Sequence, residues 1–406
     1  MSVFKEHKIR VKQLLEFIPE SLLANLSANS KVDYYAKVLH GKKLFYLLMY
    51  GILENERLSQ RSLEDTFNDS VFKFLFNLDP SEKVRRSSIS ERLSKVSPDY
   101  FRQIYECIYE QFSILYAGTQ SMKYNIVRVD SSIVSEASGK LAEGIRHGSG
   151  KKTVKYSIAF DGILPSYFKV FTASTYSSED IALPEVIKSH VKIEENHSNL
   201  YVIDRGVQSG STMKDFQKDS IQFICRAKEK RKHVELESFL EQGQNLDMGE
   251  SMLLKDSKVN IYTGAHINNK RGRLHYKEEL VDTPFRLIII ESKIEKGKQY
   301  WFLTNVFDLT AQEIAQAYRR RWDIEVFFRF IKQELNVSHL VSLNKNGIEV
   351  MLYMTLIIAM LILIYKHGNN IGYKTAKRRF NMELRNLVIS LIVIECGGQP
   401  DRFFGP

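Results

Sequence analysis

The segment Tyr318–Lys332 reads Y-R-R-R-W-D-I-E-V-F-F-R-F-I-K. Wound as one helix at about 100° per residue, it places Arg321, Glu325 and Lys332 at roughly 300°, 340° and 320° from Tyr318, an arc of about 60°. Ile324, Val326, Phe327, Phe330 and Ile331 fill a separate apolar face that can pack on a core, and Asp323 is the one charge on that side. A carboxylate flanked by two cations and a phenol suits a metal-bound phosphate. Charges at i, i+4 also make plain surface salt bridges. The functional reading therefore needs partners for Glu325 elsewhere in the chain.

The 406 residues allow two or three domains with substantial cores. Lys+Arg number 58 against 48 Asp+Glu, a formal net charge of +10 that favours a polyanionic partner. Eight prolines and no low-complexity tract speak against long disordered linkers. Cys107, Cys225 and Cys396 are far apart and odd in number, with no CxxC or Cys/His spacing. Neither a disulfide framework nor a zinc ribbon is expected, and a reducing cytoplasm fits. The opening MSVFKEHKIR lacks the apolar core of a signal peptide. Val350–Tyr365 is sixteen residues without a charge, at the short edge of a membrane span. One such run late in a basic chain reads as a buried core helix, so no membrane is expected.

Residues 1–120 read as helical, with apolar spacing over Val11–Ile18, Val38–Leu53 and Phe101–Tyr116. Ser59–Glu64 and Arg85–Leu93 resemble the short helices of helix-turn-helix units, each with a Ser before a first-turn Glu in capping-box style. This region holds 17 Lys+Arg and 15 Asp+Glu, so DNA reading here rests on pattern, beside the alternative of a plain helical bundle. From Tyr124 the texture changes. Asn125–Val129 is a β-prone run ending in Asp130, Lys155–Phe160 and Ser166–Thr175 read as a hairpin about Asp161-Gly162, and Ser178–His190 reads as a helix. Leu200–Ile203 is a second apolar strand ending in a carboxylate, Asp204, before Ser211–Lys218 (a helix) and Ile221–Arg226 (a strand). The expectation is an α/β core over 121–340, with short strands and polar turns over about 229–300. Helices follow over 341–406, including Tyr373–Ile394, where residues 366–385 carry six Lys/Arg and one acid. His147 falls in a glycine- and lysine-rich surface loop.

Asp130, Asp204 and Glu325 form a candidate set of two strand-end acids and one helix acid. Open α/β sheets place their sites at carboxyl edges, and three acids without Cys or His suit hard cations, Mg²⁺ or Mn²⁺. Two such ions activate the attacking oxygen and stabilise the leaving one in phosphodiester displacement. Aspartates after apolar runs are also common as caps and turns, and separations of 74 and 121 residues are not diagnostic.

Tyr318-x2-Arg321-x3-Glu325-x6-Lys332 resembles the Y-x2-R-x3-E-x6-K signature of IS-four-type bacterial insertion-sequence transposases. Arg321-Trp322-Asp323-Ile324-Glu325 resembles their R-W-x-I-E core. Asp130-Ser131-Ser132 and Asp204-Arg205-Gly206 resemble the regions of the two catalytic aspartates, so the likeness runs from about Val127 to Lys332. Val207 departs from it, standing where the family often has an aromatic. The resemblance implies a ribonuclease-H-like catalytic core with a β-rich insertion; the N-terminal 120 residues, which match only in helical character, are expected to form a helical domain for DNA end binding, and C-terminal helices follow the core. It implies DDE chemistry with two Mg²⁺ or Mn²⁺ ions on Asp130, Asp204 and Glu325, and cut-and-paste transposition through a hairpin intermediate. The partners it implies are double-stranded DNA, as terminal inverted repeats and target, and a second copy in a synaptic homodimer. Tyr318, Arg321 and Lys332 would contact the DNA backbone, and Trp301 resembles the insertion-domain Trp that stacks a flipped base. Arg329 lies on the same helical arc and adds a DNA contact by position alone. The alternatives are a two-metal nuclease without strand transfer and a catalytically silent repressor that occupies the ends.

Overall fold

The computed structural model describes residues 4, 6–116, 123–136, 141, 143–146, 152–193, 198–241, 243–268, 274–337 and 341–400. His147 lies outside them, as do the basic residues Lys270, Arg271 and Arg273. The chain forms two compact units, one of residues 1–119, 133–154 and 327–406, the other of 120–132 and 155–326.

The first unit opens with seven helices: α1 (Val11–Leu15), α2 (Glu20–Ser30), α3 (Gly41–Glu54), α4 (Gln60–Asn68), α5 (Ser70–Leu75), α6 (Arg86–Lys95) and α7 (Asp99–Tyr116). The expected caps differ in detail. Ser59 caps α4 through Ser62, and Glu64 reaches instead to the Arg86 N–H at the start of α6, 3.0 Å away. A carboxylate from one helix thus satisfies an orphan donor of the next.

The strands of the sheet are β1 (Asn125–Glu136), β2 (Ile145–Arg146), β3 (Lys152–Phe160), β4 (Pro165–Phe171), β5 (Asn199–Ile203), β6 (Gln222–Arg226), β7 (His233–Ser238), β8 (Leu246–Asp247), β9 (Ser251–Asn268), β10 (Leu274–Leu280), β11 (Phe285–Ser292) and β12 (Gln299–Thr304). Helices α8 (Glu179–Ile193), α9 (Gly210–Lys218), α10 (Ala311–Arg319), α11 (Trp322–Glu334), α12 (Lys345–Gly368) and α13 (Tyr373–Glu395) complete the chain. Strand order is β10-β9-β11-β12-β6-β5-β1-β3, with β4 on β3. β1, β5 and β6 are parallel, and β3–β4 is the expected hairpin. β9 corrects the expectation of short strands only: its 18 residues pair with β7, β8, β10 and β11, so one long strand organises the 229–300 region.

Side chains alternate across the sheet. Val127, Val129, Tyr201, Ile203, Phe223 and Cys225 face α8 and α9 in one core. Ile126, Leu200, Val202, Ile224 and Phe302 face α10 in another. A buried ion pair steadies this second layer. Arg286 on β11 donates to both Asp256 oxygens, at 2.8 and 2.6 Å, and to the Leu309 carbonyl just before α10, at 2.6 Å.

In the first unit α12 packs on α7, α13, α6 and α3. It is long and apolar enough to cross a membrane, and 83% of its apolar window is buried inside the protein. Glu383 of α13, 1% exposed, accepts hydrogen bonds from Val11 N (3.0 Å), Tyr365 Oη (2.9 Å) and His7 Nδ1 (3.1 Å). Arg379 can only donate, so the 2.7 Å contact to His7 Nε2 makes that nitrogen the acceptor and leaves the proton on Nδ1. The C-terminal basic stretch is therefore partly committed inside the molecule, with Arg385 on Glu54 and Lys377 near Glu334 as well.

Candidate active site

The parallel register Val129↔Ile203 sets Asp130 beside Asp204, one residue past the last pair of β1 and β5. β1 itself runs on to Glu136, so Asp130 ends the pairing with β5 and not, as expected, the strand. Both carboxylates share parity with Ile126 and Leu200 and so face the α10 layer. Asp130 Oδ1 accepts from the Ser131 N–H at 2.7 Å, and the Tyr318 hydroxyl donates to Asp204 Oδ1 at 3.4 Å. Burial pushes the Asp130 carboxyl up to about 6. The Ser131 N–H and Arg321 pull against that rise, while the charges of Glu179 and Asp204 add to it. Burial, then the Asp204 charge, raises the Tyr318 phenol far above its ordinary range.

The stretch Tyr318–Lys332 is not one helix. α10 ends at Arg319 and α11 begins at Trp322, with Arg321 N bonded to Tyr318 O and Ile324 N to Arg321 O across the break. The cause is Arg128, 3% exposed on β1. Its Nε donates to the Arg320 carbonyl at 3.1 Å and its Nη2 to Asp323 Oδ2 at 3.0 Å. Its Nη1 is held by the carbonyls of Ile126 and Asp161. Asp323, the odd charge on the apolar face, is the partner of this buried guanidinium. Gly162, at φ +101°, leaves it room: a Cβ there would stand 2.4 Å from Arg128 Nη1.

The break turns Arg321 toward the acids. Its Nη1 lies 3.6 Å from Asp130 Oδ2 and its Nη2 hydrogen-bonds Glu325 Oε1. Tyr318, Arg321, Asp130, Asp204 and Glu325 thus come together by a route the single-helix wheel does not describe. Beyond Val326, α11 continues into the other compact unit, where Arg329 is exposed and Lys332 lies 6.0 Å over the Phe328 ring.

Sequence reasoning missed Arg128, Glu179 and Asp180. Asp180 Oδ1 accepts from the N–H groups of Gln208 and Ser209, at 2.7 and 2.8 Å, fastening the loop that follows Asp204. Glu179 fills the space over Gly206, where a Cβ would meet its Oε2 at 1.6 Å. That explains the glycine of Asp204-Arg205-Gly206. Burial chiefly raises the Glu179 carboxyl, which Lys155 opposes and Asp204 and Asp180 reinforce. The only sequence signal was two acids opening a helix, which reads as ordinary first-turn acid placement. Val207 is fully buried in the core beneath α8 and α9.

A cleft of about 510 Å³ adjoins the site, lined by Arg226, Tyr300, Phe302, Tyr318, Arg319, Arg321 and Trp322 among others. Trp301 is on the opposite face of β12. It packs partly on the α8/α9 core, and its indole Nε1 donates to Gln299 Oε1 at 3.3 Å. Trp322 is 54% exposed at the cleft.

Among the described residues no three Asp, Glu, His or Cys side chains stand close enough to hold one ion together. Asp130 and Glu325 instead share the Arg321 guanidinium, a cation placed between two carboxylates. The all-oxygen donor set, with a cation already seated between two of its carboxylates, has the chemistry that suits a hard divalent ion.

Asp130→Asn is expected to stabilise the metal-free protein. The raised carboxyl holds its proton more tightly when folded, so its ionisation costs stability as pH climbs from 3.8 to about 6. Melts in EDTA should show a gain of up to ~3 kcal/mol at neutral pH that shrinks to nothing below the unfolded value. A pH-independent difference would contradict the burial argument.

The family model described as Transposase DDE domain matches residues 121–361. A putative transposase for insertion sequence element IS4SA from Synechocystis sp. is 26% identical over 343 residues, covering 83% of this chain and 85% of the relative. A probable transposase for insertion sequence element IS5377 from Geobacillus stearothermophilus is 38% identical over 66 residues, covering 16% of this chain and 18% of the relative. Among solved structures, piggyBac transposase in a synaptic complex with hairpin DNA aligns at a TM-score of 0.43 and 13% identity, over 94% of this chain and 78% of that one.

Proposed function

The chain belongs to the transposase DDE-domain family, and from that premise we propose that it moves an insertion sequence by cut-and-paste transposition. The observation that carries this reading is the register that sets Asp130 beside Asp204, with Arg321 joining Asp130 to Glu325. The β3–β4 hairpin, the parallel β1, β5 and β6, and helices on both faces support a ribonuclease-H-like core, with β7 to β11 as its insertion.

Asp130, Asp204 and Glu325 would hold two Mg²⁺ or Mn²⁺ ions, and such a pair would supply activation of the attacking water or 3′-hydroxyl and neutralisation of the leaving oxygen. Arg321 exchanges its carboxylate partners for a DNA phosphate, which clears the space between Asp130 and Glu325. Tyr318 keeps its hydroxyl at Asp204 until a phosphate oxygen offers a better acceptor. Arg329 and Lys332 track the backbone further along α11. Hairpin formation needs a tightly bent strand, which an unstacked base held on aromatic rings favours. The base-stacking function expected of Trp301 fits Tyr300 and Trp322 better, because these line the cleft beside Arg321. The partners are double-stranded terminal repeats and target DNA in the cytoplasm, held by a homodimer that pairs two ends.

The test is incubation of the purified protein with linear DNA carrying the element's own ends, with Mg²⁺ or EDTA, read on denaturing gels. Metal-dependent nicking, a hairpin end and a joined product are expected. Cleavage without hairpin or joining would make it a nuclease, and end binding without cleavage a repressor; either result defeats the proposal.

A further inference from the structure

The turn between α2 and α3 is built to hold two tyrosines in solvent. Tyr34 is 68% and Tyr35 88% exposed, their ring centroids 4.2 Å apart. Tyr35 has φ +61° and Lys31, which ends α2, φ +53°. A left-handed backbone at a bulky residue is uncommon and persists only where its surroundings enforce it. Here they do. Arg92 of α6 donates from Nε to the Leu39 carbonyl at 2.9 Å and from Nη2 to the Val32 carbonyl, pinning both ends of the turn. Val32 and Leu39 are buried, and a Cβ at Gly41 would stand 2.5 Å from Val32 Cγ1. Asp33, the one acid of the turn, accepts from the Gly41 N–H at 2.5 Å and stands 3.7 Å from His40 Nδ1.

Lysines surround the pair. Lys31 and Lys37 are exposed on either side, and a groove of about 610 Å³ beside Tyr34 is lined by Lys31, Asp33, His40, Lys42 and Lys43 among others. Lys42 and Lys43 also reach Glu20 and Glu82.

We infer that this turn is a DNA contact, in which the two rings lie against sugars and base edges of a duplex while Lys31 and Lys37 meet the flanking phosphates. A fixed, solvent-facing aromatic pair loses little freedom on binding. With Asp33 engaged by the Gly41 N–H and Glu20 and Glu82 taken by Lys42 and Lys43, exposed Lys31 and Lys37 flank the rings, a placement that suits a polyanion. The inference rests on the transposase reading for the identity of the polyanion, and goes beyond it in placing a contact on α2–α3 instead of on α4 or α6.

The test is fluorescence anisotropy of full-length protein with labelled duplexes of terminal and unrelated sequence over a salt series. The variants are Tyr34→Ala with Tyr35→Gly, where glycine accepts the left-handed backbone and preserves the fold, and Lys31→Gln with Lys37→Gln. Removing the rings is expected to weaken binding ~10-fold with the salt slope unchanged. Removing the lysines should lower that slope by about 2. Wild-type affinity and slope in both pairs would overturn the inference. Intact DNA binding with a changed oligomeric state by light scattering would also overturn it, making the turn a protein interface. In either case the wild-type cleavage reaction keeps the transposase reading standing. Absence of DNA binding by the wild-type protein would remove both.

Discussion

Glu325→Gln is expected to lower metal-dependent DNA cleavage by ~10³-fold or more, because a ligand that brings a divalent ion to the reacting phosphate controls several kcal/mol of transition-state stabilisation. The amide keeps an oxygen for Arg321 Nη2, so the α10–α11 junction held by Arg128 should be undisturbed. Melting temperature and duplex affinity should therefore stay near the wild-type values, which separates lost chemistry from lost fold. Isothermal titration with Mn²⁺ should show weakened ion binding in the variant. Wild-type cleavage by Glu325→Gln would remove the residue from the catalytic set. Its place would then fall to Glu179, whose charge acts on Asp130 and whose carboxylate lies over Gly206.

The second large effect is on stability. Glu383→Ala is expected to cost about 3–5 kcal/mol, because it strands buried donors on Val11, Tyr365 and His7 at once. The loss is shared by the two ends of the chain. Asn369 ties Lys8 and Ile9 to α12 through hydrogen bonds of 2.8 and 3.1 Å, and Glu383 adds the tie to α1. Glu383→Gln, which keeps an acceptor but loses the charge, should cost less than half as much. Urea unfolding followed by circular dichroism measures both, with comparable m-values confirming a change in stability alone. A loss under 0.5 kcal/mol for Glu383→Ala would mean that water replaces the carboxylate in the cavity.

Tyr318–Lys332 shows how far linear information reached. The spacing of Tyr318, Arg321 and Glu325 and the apolar face of the segment were legible, because both follow from residues within a few turns of one another. So were the β3–β4 hairpin, the helical character of residues 11–116 and the strand-end position of Asp204. The break at Arg320–Arg321 was not. It depends on Arg128, 192 residues away in sequence, which takes the Arg320 carbonyl and neutralises Asp323. A helical wheel contains neither interaction.

Other placements were decided by pairing across the sheet. Trp301 and its neighbours Tyr300 and Phe302 are indistinguishable as a strand sequence, and the register with β11 and β6 settles which of them reaches the cleft. Glu179 and Asp180 look like any acids opening a helix until β5 brings the Asp204–Gly206 turn against them. The sequence by itself singled out Tyr318, Arg321, Asp130, Asp204 and Glu325, and left out Arg128, Glu179 and Asp180. Tertiary structure decided how they meet, because a buried guanidinium and a strand register act between residues that local periodicity never compares.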